Sequence, residues 1–299
     1  MTAFEPLAAI DCNHQQWLAR LHMSFATRQG RTLLHRTERQ GPLSVQRAFY
    51  PETNGTAHLY LLHPPAGIVS GDELRISASL SADNQVLLTT PGANRFYRAR
   101  GASSPASRQS QYTHFSAAQN ACLEYLPHET LVYAQANAFS HTDIYLHDDA
   151  SYIGWEIACL GLPHIHQPFN GGQFTQTLSV YYNQRIRFHD RLAITANDDL
   201  CTARIGLAGH HVTGTMVMVN GQSVSSQQYA DTLCTRVLDI TVKEQQHGLL
   251  AVTQVQGVVI VRYLGDNSEQ CRECFHRIWA ALRPEVSQRE AVSPRIWFT

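Results

Sequence analysis

The segment Trp17-Leu18-Ala19-Arg20-Leu21-His22-Met23-Ser24-Phe25-Ala26 decides the fold class, because large apolar side chains recur at every second position. Leu74 to Leu80 repeats this pattern, with arginine and serine between the apolar residues. A period of two residues is typical of a β-strand that buries one face. Further β-type runs follow: Ala57–Leu62, Gln85–Thr90, Gln111–Phe115, Thr142–Leu146, Phe174–Val180, Arg185–Phe188, Val212–Val219, Arg236–Val242, Leu249–Thr253 and Val258–Tyr263. The sequence therefore predicts a mainly β chain of many short strands.

Turn signals separate these runs: Gly41-Pro42, Asn54-Gly55, Pro91-Gly92, Gly171-Gly172 and Asn220-Gly221. Pairs of this kind favour tight connections between strands. Periodicity alone does not distinguish between a sandwich, a barrel and a solenoid. We predict a single domain over residues 1–299, with a β body over about 15–263 and a C-terminal helix and tail over about 264–299.

Helical periodicity is strong in one place, from about Ser268 to Arg283. Its apolar face carries Cys271, Phe275, Ile278, Trp279 and Leu282. Asp266 and Asn267 can cap the start of this helix, and Pro284 is expected to end it. A weaker second helix is predicted over Gln227–Cys234.

The composition restricts the class of protein. A net charge of −1 provides no field of one sign to attract nucleic acid or an anionic membrane. Charged residues make up 16% of the chain, below the ordinary share of about 25%. We therefore expect a chain that is either poorly soluble alone or partly covered by a partner. The single lysine, Lys243, follows Ile240-Thr241-Val242, which reads as a strand, and this excludes a P-loop NTPase.

The cellular compartment is predicted from three sequence patterns that are missing: a disulfide framework, a signal peptide and a long apolar run. The seven cysteines are odd in number and scattered, which argues against a disulfide framework. The N-terminus has no basic-then-apolar signal pattern, and no apolar run approaches eighteen residues. We therefore expect a soluble, cytoplasmic protein.

Few motifs carry chemistry. The sequence contains no G-x-S-x-G, G-x-G-x-x-G or H-E-x-x-H pattern. Cys271-Arg272-Glu273-Cys274 shares the apolar helix face, so we interpret it as structural rather than redox-active. His164 and His166 would face the same side of a strand and are candidate metal ligands, although the interpretation as ordinary surface histidines is favoured. The adjacent pair His210-His211 is a weaker candidate.

Several stretches of the sequence carry a recognisable pattern: Gly41–Glu52 (GPLSVQRAFYPE), His58–Asp72 (HLYLLHPPAGIVSGD), Thr89–Arg98 (TTPGANRFYR), Leu123–Thr130 (LEYLPHET), Gly154–Ile157 (GWEI), Arg262–Gly265 (RYLG) and Pro294–Trp297 (PRIW). Together they resemble one family, the urease accessory proteins UreD, called UreH in some organisms. They follow one another in the family's order over most of the chain. Ala66 and Ser70 depart from the pattern by replacing glycines. The family's Gly-Arg-Pro and Gly-Glu near position 161 are also missing, and His164 and His166 occupy that loop instead.

The resemblance implies a non-enzymatic metallochaperone scaffold with a β-rich, solenoid-like body and two C-terminal helices. Such proteins bind the urease apoprotein on one side and UreF on the other, and UreF carries the GTPase UreG. Nickel is expected to pass through transiently, in a water-filled internal passage, with no permanently bound cofactor. A homodimer of the whole accessory complex is open. Neither nucleic acid nor a membrane is an expected partner.

Four polar residues are candidates for lining the passage: Asp72, Asn94, Glu156 and Asp190. A divalent cation needs water and oxygen or nitrogen ligands along its route, and each stop must release it again. Glu156 is the clearest case because it interrupts an apolar strand. Two alternatives are that Asp72 only accepts amide hydrogen bonds in a turn, and that Glu156 pairs with an arginine.

Four residues near the C-terminus are candidate UreF contacts: Phe275, Trp279, Arg295 and Trp297. The alternative is that this helix and tail simply pack on the β body. Two other functions also remain open: a structural adaptor that conducts no ion, and a β-rich hydrolase that uses paired carboxylates.

Overall fold

The computed structural model describes residues 17–101, 105–241 and 248–298. The strands are β1 (Leu18–Arg28), β2 (Arg31–Gln40), β3 (Ser44–Val45), β4 (Ala57–Leu62), β5 (Glu73–Leu80), β6 (Gln85–Thr89), β7 (Asn94–Phe96), β8 (Gln109–Ala117), β9 (Cys122–Leu126), β10 (Thr130–Val132), β11 (Ala136–Leu146), β12 (Ser151–Leu162), β13 (Gln167–Pro168), β14 (Gly172–Tyr182), β15 (Arg185–Thr195), β16 (Val212–Val219), β17 (Leu249–Val255) and β18 (Val258–Gly265). The helices are α1 (Gly221–Ser225), α2 (Gln227–Thr241) and α3 (Ser268–Ser287). Short 3₁₀ turns cover Pro105–Ser107, Pro163–Ile165, Asp199–Cys201 and Arg295–Phe298.

The strands form two facing sheets. The first sheet has the order β15-β14-β11-β8-β5-β1-β2, and the main path of the second is β17-β18-β16-β12-β9-β6-β4-β3. From β4 to β14 the chain crosses repeatedly between the sheets, so that neighbours within each sheet run parallel. The short strands β7 and β10 pair in parallel with each other between these turns. This coil confirms the predicted solenoid-like, layered body.

The first core lies between the two sheets. In β1, Ala19, Leu21, Met23 and Phe25 are buried and alternate with more exposed residues, as the period of two predicts. Inward-facing residues of both sheets continue this core. Each fully buried leucine, methionine or phenylalanine side chain stabilises the folded state by about 1.5–3 kcal/mol. The interior is therefore built mainly from alternate positions of successive strands.

A second core covers the outer face of the second sheet. Trp155 and Ile157 of β12 lie there against Phe275, Ile278 and Trp279 of α3. Gly214 of β16 permits the close approach, because a Cβ at this position would lie 2.6 Å from the Cys271 sulfur. The β body and α3 are thus joined through apolar packing.

The structure corrects two helix boundaries. Arg236–Val242 was predicted as a strand, but as far as Thr241 it belongs to α2, because Ala230, Leu233, Val237 and Thr241 are buried at helical spacing; Val242 and Lys243 lie outside the described residues. The weak helix predicted over Gln227–Cys234 is therefore longer. No helix in the described ranges is long and apolar enough to span a bilayer.

The predicted end of α3 at Arg283 is also wrong. Asn267 caps the helix as expected, accepting bonds from the amides of Glu269 and Gln270. Pro284 lies inside the last turns, where its missing N–H removes one helical bond without ending the helix. The helix ends where Gln288 adopts a left-handed φ of 56°.

A buried ion cluster fixes α3 to the β body. The Arg283 side chain is fully buried, and its Nη2 donates to Glu52 Oε1 and Glu124 Oε2, each at 2.7 Å. Trp279 Nε1 donates to Glu124 Oε1 at 2.7 Å, and the His58 ring contacts Glu52 Oε1 at 2.6 Å. Burial alone would raise the pKa of Glu52, but the bonds and charges of His58 and Arg283 lower that pKa to about 2.

We predict that Arg283→Met destabilises the fold by about 3–5 kcal/mol, because two buried carboxylates lose their cation. The matched control is Arg236→Met, since Arg236 pairs with Glu285 but is 51% exposed. That change should cost about 1 kcal/mol or less. The measurement is the free energy of unfolding in urea. Equal losses for the two variants would contradict the structural role of the cluster.

Candidate functional site

A cavity of about 280 Å³ lies between the two sheets. Its wall in the second sheet is built largely where β4, β6 and β9 end, and the facing wall comes from β5, β8, β11 and β14. The polar side chains on the two walls together are those of His63, Thr90, Asn94, Arg95, Gln111, His128, Thr130, Ser140, Glu156 and Gln176. We call this space the interior cavity. Apolar groups contribute more of the lining surface than polar groups do, and a space of this size has room for several waters next to the polar groups.

Glu156 points into the interior cavity because its neighbours on β12, Trp155 and Ile157, face the second core. Its carboxylate accepts bonds from Thr142 Oγ1 at 2.5 Å and Gln176 Nε2 at 2.7 Å. Both partners are neutral, so in the described part of the chain the alternative salt bridge to an arginine is not formed. Burial raises the pKa of Glu156 to about 7, although these two hydrogen bonds act in the opposite direction.

Asn94 lies in the same cavity, at the start of β7. Its Nδ2 donates to Gln111 Oε1 at 3.0 Å, and its backbone N–H donates to Glu129 O at 3.0 Å. The side-chain amide is thereby held by Gln111 of β8, and the backbone by Glu129, which precedes β10. The structure brings Asn94 and Glu156 together on one lining, although they are 62 positions apart in sequence.

Asp72 is absent from the lining of the interior cavity. Its Oδ2 accepts the Val69 N–H at 3.0 Å, and its own N–H donates to Val69 O at 3.0 Å. Gly71 next to it has a φ of 84°, which favours glycine. This geometry matches the turn alternative and places Asp72 outside the lining that Asn94 and Glu156 share.

The packing of the glycine-containing segment before Asp72 explains its residue types. A Cβ at Gly67 would lie 2.3 Å from the Tyr97 ring, so only glycine fits. Ala66, which replaces a family glycine, adopts a φ of 62°, a conformation that costs a non-glycine residue about 1–2 kcal/mol. Ser70, the other departure, uses its hydroxyl to accept the Arg100 N–H at 2.6 Å.

Asp190 lies on β15 at the edge of the first sheet. Its Oδ2 accepts a bond from Arg262 Nη1 at 2.8 Å, and the same nitrogen contacts Thr215 Oγ1 at 3.3 Å. This ion pair joins β15 to β18 across the two sheets. Asp190 is not among the residues lining the cavity, but its negative charge is close enough to contribute to the raised pKa of Glu156.

His164 and His166 were predicted to face the same side of a strand as metal ligands, and this placement is wrong. His164 lies in the 3₁₀ turn Pro163–Ile165, and His166 ends that turn with a left-handed φ of 58°. The two rings therefore do not alternate on a strand, and both residues are exposed. Within residues 17–101, 105–241 and 248–298, no group of three or more His, Cys, Asp or Glu side chains is arranged to hold a metal ion.

The helix and tail candidates for partner binding divide into two groups. Phe275 and Trp279 have no exposed surface, which corrects their prediction as direct contacts, because they pack on the β body instead. Trp297 is half-buried, stacks on His276 at 3.8 Å and donates to Thr89 Oγ1 at 3.0 Å. Arg295 alone is exposed. Cys271 and Cys274 are buried, consistent with their structural interpretation.

Sequence reasoning missed several residues of the cavity: His63, Gln111, His128 and Gln176. Two of them carried a signal, since His63 and His128 each follow an apolar strand and adjoin a proline. Strand ends of one parallel sheet meet at one edge, so such residues become neighbours. The two glutamines gave no signal beyond an inward position on an alternating strand.

We predict that Glu156→Gln changes how stability depends on pH. Native Glu156 holds its proton up to about pH 7, whereas an unfolded glutamate releases it near 4.3. The wild type therefore loses stability as the pH rises through this window, and glutamine removes that loss. Urea unfolding at about pH 5 and pH 8 should show the variant gaining relative to wild type at the higher pH. A difference that is the same at both values would contradict the raised pKa.

Comparison with known proteins gives a consistent result. The family model for the UreD urease accessory protein matches residues 18–298. A urease accessory protein UreD of Psychromonas ingrahamii is 40% identical over 291 residues, which cover 95% of this chain and 94% of the relative. Those of Marinomonas sp. and Dechloromonas aromatica are each 38% identical over 95% of this chain, and over 90% and 95% of the relatives. The chain therefore belongs to the UreD family of urease accessory proteins.

Proposed function

We propose that this chain is a non-catalytic scaffold in urease maturation whose interior cavity lets hydrated nickel pass toward the urease apoprotein. The observation that carries the proposal is the carboxylate of Glu156, which lines the interior cavity and whose hydrogen-bond partners among the described residues are neutral. A buried carboxylate that already neutralises an arginine has little charge left for a second cation. Glu156 pairs with no arginine among the described residues, so its carboxylate is available to a passing ion once the proton that it holds up to about pH 7 is released.

The polar lining meets the needs of a hydrated cation. A bare divalent ion cannot cross an apolar core, because the loss of hydration costs far more than weak contacts return. Amide, hydroxyl and imidazole groups from both sheets can replace part of the water shell. A single carboxylate with a pKa near 7 holds an ion weakly, because the ion competes with a proton, and weak holding favours release.

Binding of partners is the second part of the proposal. The chain would link UreF, with its GTPase UreG, to the urease apoprotein in the cytoplasm, while nickel is carried transiently and no cofactor stays bound. The low share of charged residues, 16%, fits a surface that is partly covered by other proteins. Phe298, 78% exposed beside Arg295, provides an apolar contact at the tail. Nucleic acid and membrane surfaces have no part in this proposal.

Two other functions are less well supported. A hydrolase with paired carboxylates needs two acids at one site, but Glu156 is the one acidic residue among those lining the interior cavity, and nearby Asp190 is paired with Arg262. An adaptor that conducts no ion would leave the polar lining without a purpose. That second alternative is separated from the proposal by experiment.

We predict that Glu156→Leu lowers the nickel content of urease several-fold while the accessory complex still assembles. Leucine removes the charge and fills polar space with methyl groups. Nickel per urease active site is measured by atomic absorption, and assembly by copurification with UreF, UreG and urease. The matched control is Glu38→Gln, on the outer strand β2, where the carboxylate is 52% exposed.

The outcomes separate the alternatives. Normal nickel content in the Glu156→Leu complex would favour the adaptor that conducts no ion. Loss of assembly together with nickel would assign Glu156 a structural role. Glu156→Gln adds a test of charge alone, because it retains the size of the side chain.

A further inference from the structure

The pairing of strands in the second sheet is interrupted beside Glu156. On one side of β12, β9 pairs as far as Gly154, and β10 pairs again only from Ala158. The ladder between β6 and β9 ends at the same level, and the ladder between β7 and β10 begins beyond it. Pro91 and Pro127 lie in this interval, and neither has an N–H to donate to a neighbouring strand. The wall of the interior cavity therefore has a gap in its strand pairing at the level of Glu156.

One border of this gap is the segment between β6 and β7, which is anchored at both ends. Thr90 Oγ1 accepts the His128 N–H at 2.9 Å, and the Asn94 N–H donates to Glu129 O at 3.0 Å. Between these anchors lies Pro91-Gly92-Ala93, and all three residues line the interior cavity. The anchors thus hold the border of the gap in a fixed position.

The interior cavity reaches the surface at this border. Among the described residues that line it, the three exposed ones are Ala66, Pro91 and Gly92. Ala66 lies in the turn after β4, and the Arg95 side chain links this turn to the border, since its Nη1 donates to Ala66 O at 3.2 Å. The backbone adds a second link, because the Ile68 N–H donates to Arg95 O at 2.7 Å. The exposed lining residues therefore belong to two linked segments.

Gly92 lies beside open space. A Cβ at this position would meet no heavy atom of the described residues within 4 Å, whereas a Cβ at Gly67 would collide with the Tyr97 ring. The φ of Gly92 is outside the left-handed region, so its backbone also accepts a larger side chain. A residue that lines the cavity and also borders open space marks the place where the two are joined.

Arg95 gives this place a positive charge. Its side chain lines the cavity and donates to the neutral carbonyl of Ala66, and no acidic side chain in the described part of the chain pairs with it. An arginine in a narrow opening is an electrostatic barrier to cations, while neutral molecules of the same size are unaffected by its charge. The charge of Arg95 would therefore act on any cation that passes here.

We propose that the opening between Ala66, Pro91 and Gly92 is the mouth through which ions enter or leave the interior cavity, and that Arg95 limits the passage of cations there. The inference rests on the proposed function and adds the position and the charge of one opening of the route. The gap lies at the level of Glu156, the one acidic residue of the described lining. The mouth and the carboxylate are thus at the same height of the second sheet.

The test measures how fast reagents reach a thiol placed inside the interior cavity. Ser140→Cys introduces this thiol at a buried position of β11 that lines the cavity. The full-length chain is treated with 2-aminoethyl methanethiosulfonate, a cation, or with neutral methyl methanethiosulfonate, each of which forms a disulfide with an accessible thiol. Mass spectrometry of the peptides separates modification at position 140 from modification of the native cysteines.

We predict that Gly92→Trp slows modification at position 140 by both reagents at least about tenfold, because the indole fills the mouth. Arg95→Gln should speed the cationic reagent several-fold and leave the neutral one within about twofold, because it removes repulsion between like charges. The matched control is Ala82→Trp, an equally large side chain at an exposed position outside the cavity lining, which should leave both rates within about twofold. Circular dichroism and the melting temperature verify folding, and Gly92→Leu replaces the tryptophan variant if that variant unfolds.

Unchanged rates in a folded Gly92→Trp or Gly92→Leu chain would overturn the inference, as would the absence of modification at position 140 in the chain that carries Ser140→Cys alone. Equal acceleration of both reagents by Arg95→Gln would overturn the role of its charge. Failure of the proposed function is separate: it shows as normal urease nickel in the Glu156→Leu complex, whatever route the reagents take.

Discussion

The coil of two facing sheets forces alternate side chains of both sheets into a shared interior, and the other features of the structure depend on this constraint. Most inward positions carry hydrocarbon and form the first core. At the level of Glu156 the opposing strands supply Thr142 and Gln176 instead. Polar groups cannot pack as hydrocarbon does, because each needs a bonding partner. The interior cavity therefore lies where inward-facing polar residues from both sheets meet.

Two buried carboxylate sites show how the surroundings determine a role. Glu52 lies against Arg283 and His58, and its pKa falls to about 2, so the charge is permanent and holds α3 in place. In the described part of the chain Glu156 has only neutral donors, and burial raises its pKa to about 7, so a cation can replace the proton on its carboxyl group. The arrangement around Glu52 suits the permanent attachment of α3, and the arrangement around Glu156 suits transient binding.

Local patterns predicted much of the fold, whereas contacts between distant strands could not be predicted. Alternation identified β1 and β5 because each buries one face. Alternation gave the wrong element at Arg236–Val242, because a window this short fits the strand period of 2 and the helix period of 3.6 equally well. The helical spacing becomes visible only over the full length of α2. Glu156 was found because a charge in an apolar strand is visible in sequence. His63 and His128 were missed as cavity residues because their places on the lining depend on the register of β4, β6 and β9.

The most direct test of a wet, ion-conducting interior is anomalous diffraction at the nickel edge from crystals soaked in Ni²⁺. The account predicts ordered water in the interior cavity and a nickel peak within it, in contact with Glu156. A dry cavity, with nickel bound only to outer histidines such as His164 and His166, would contradict it.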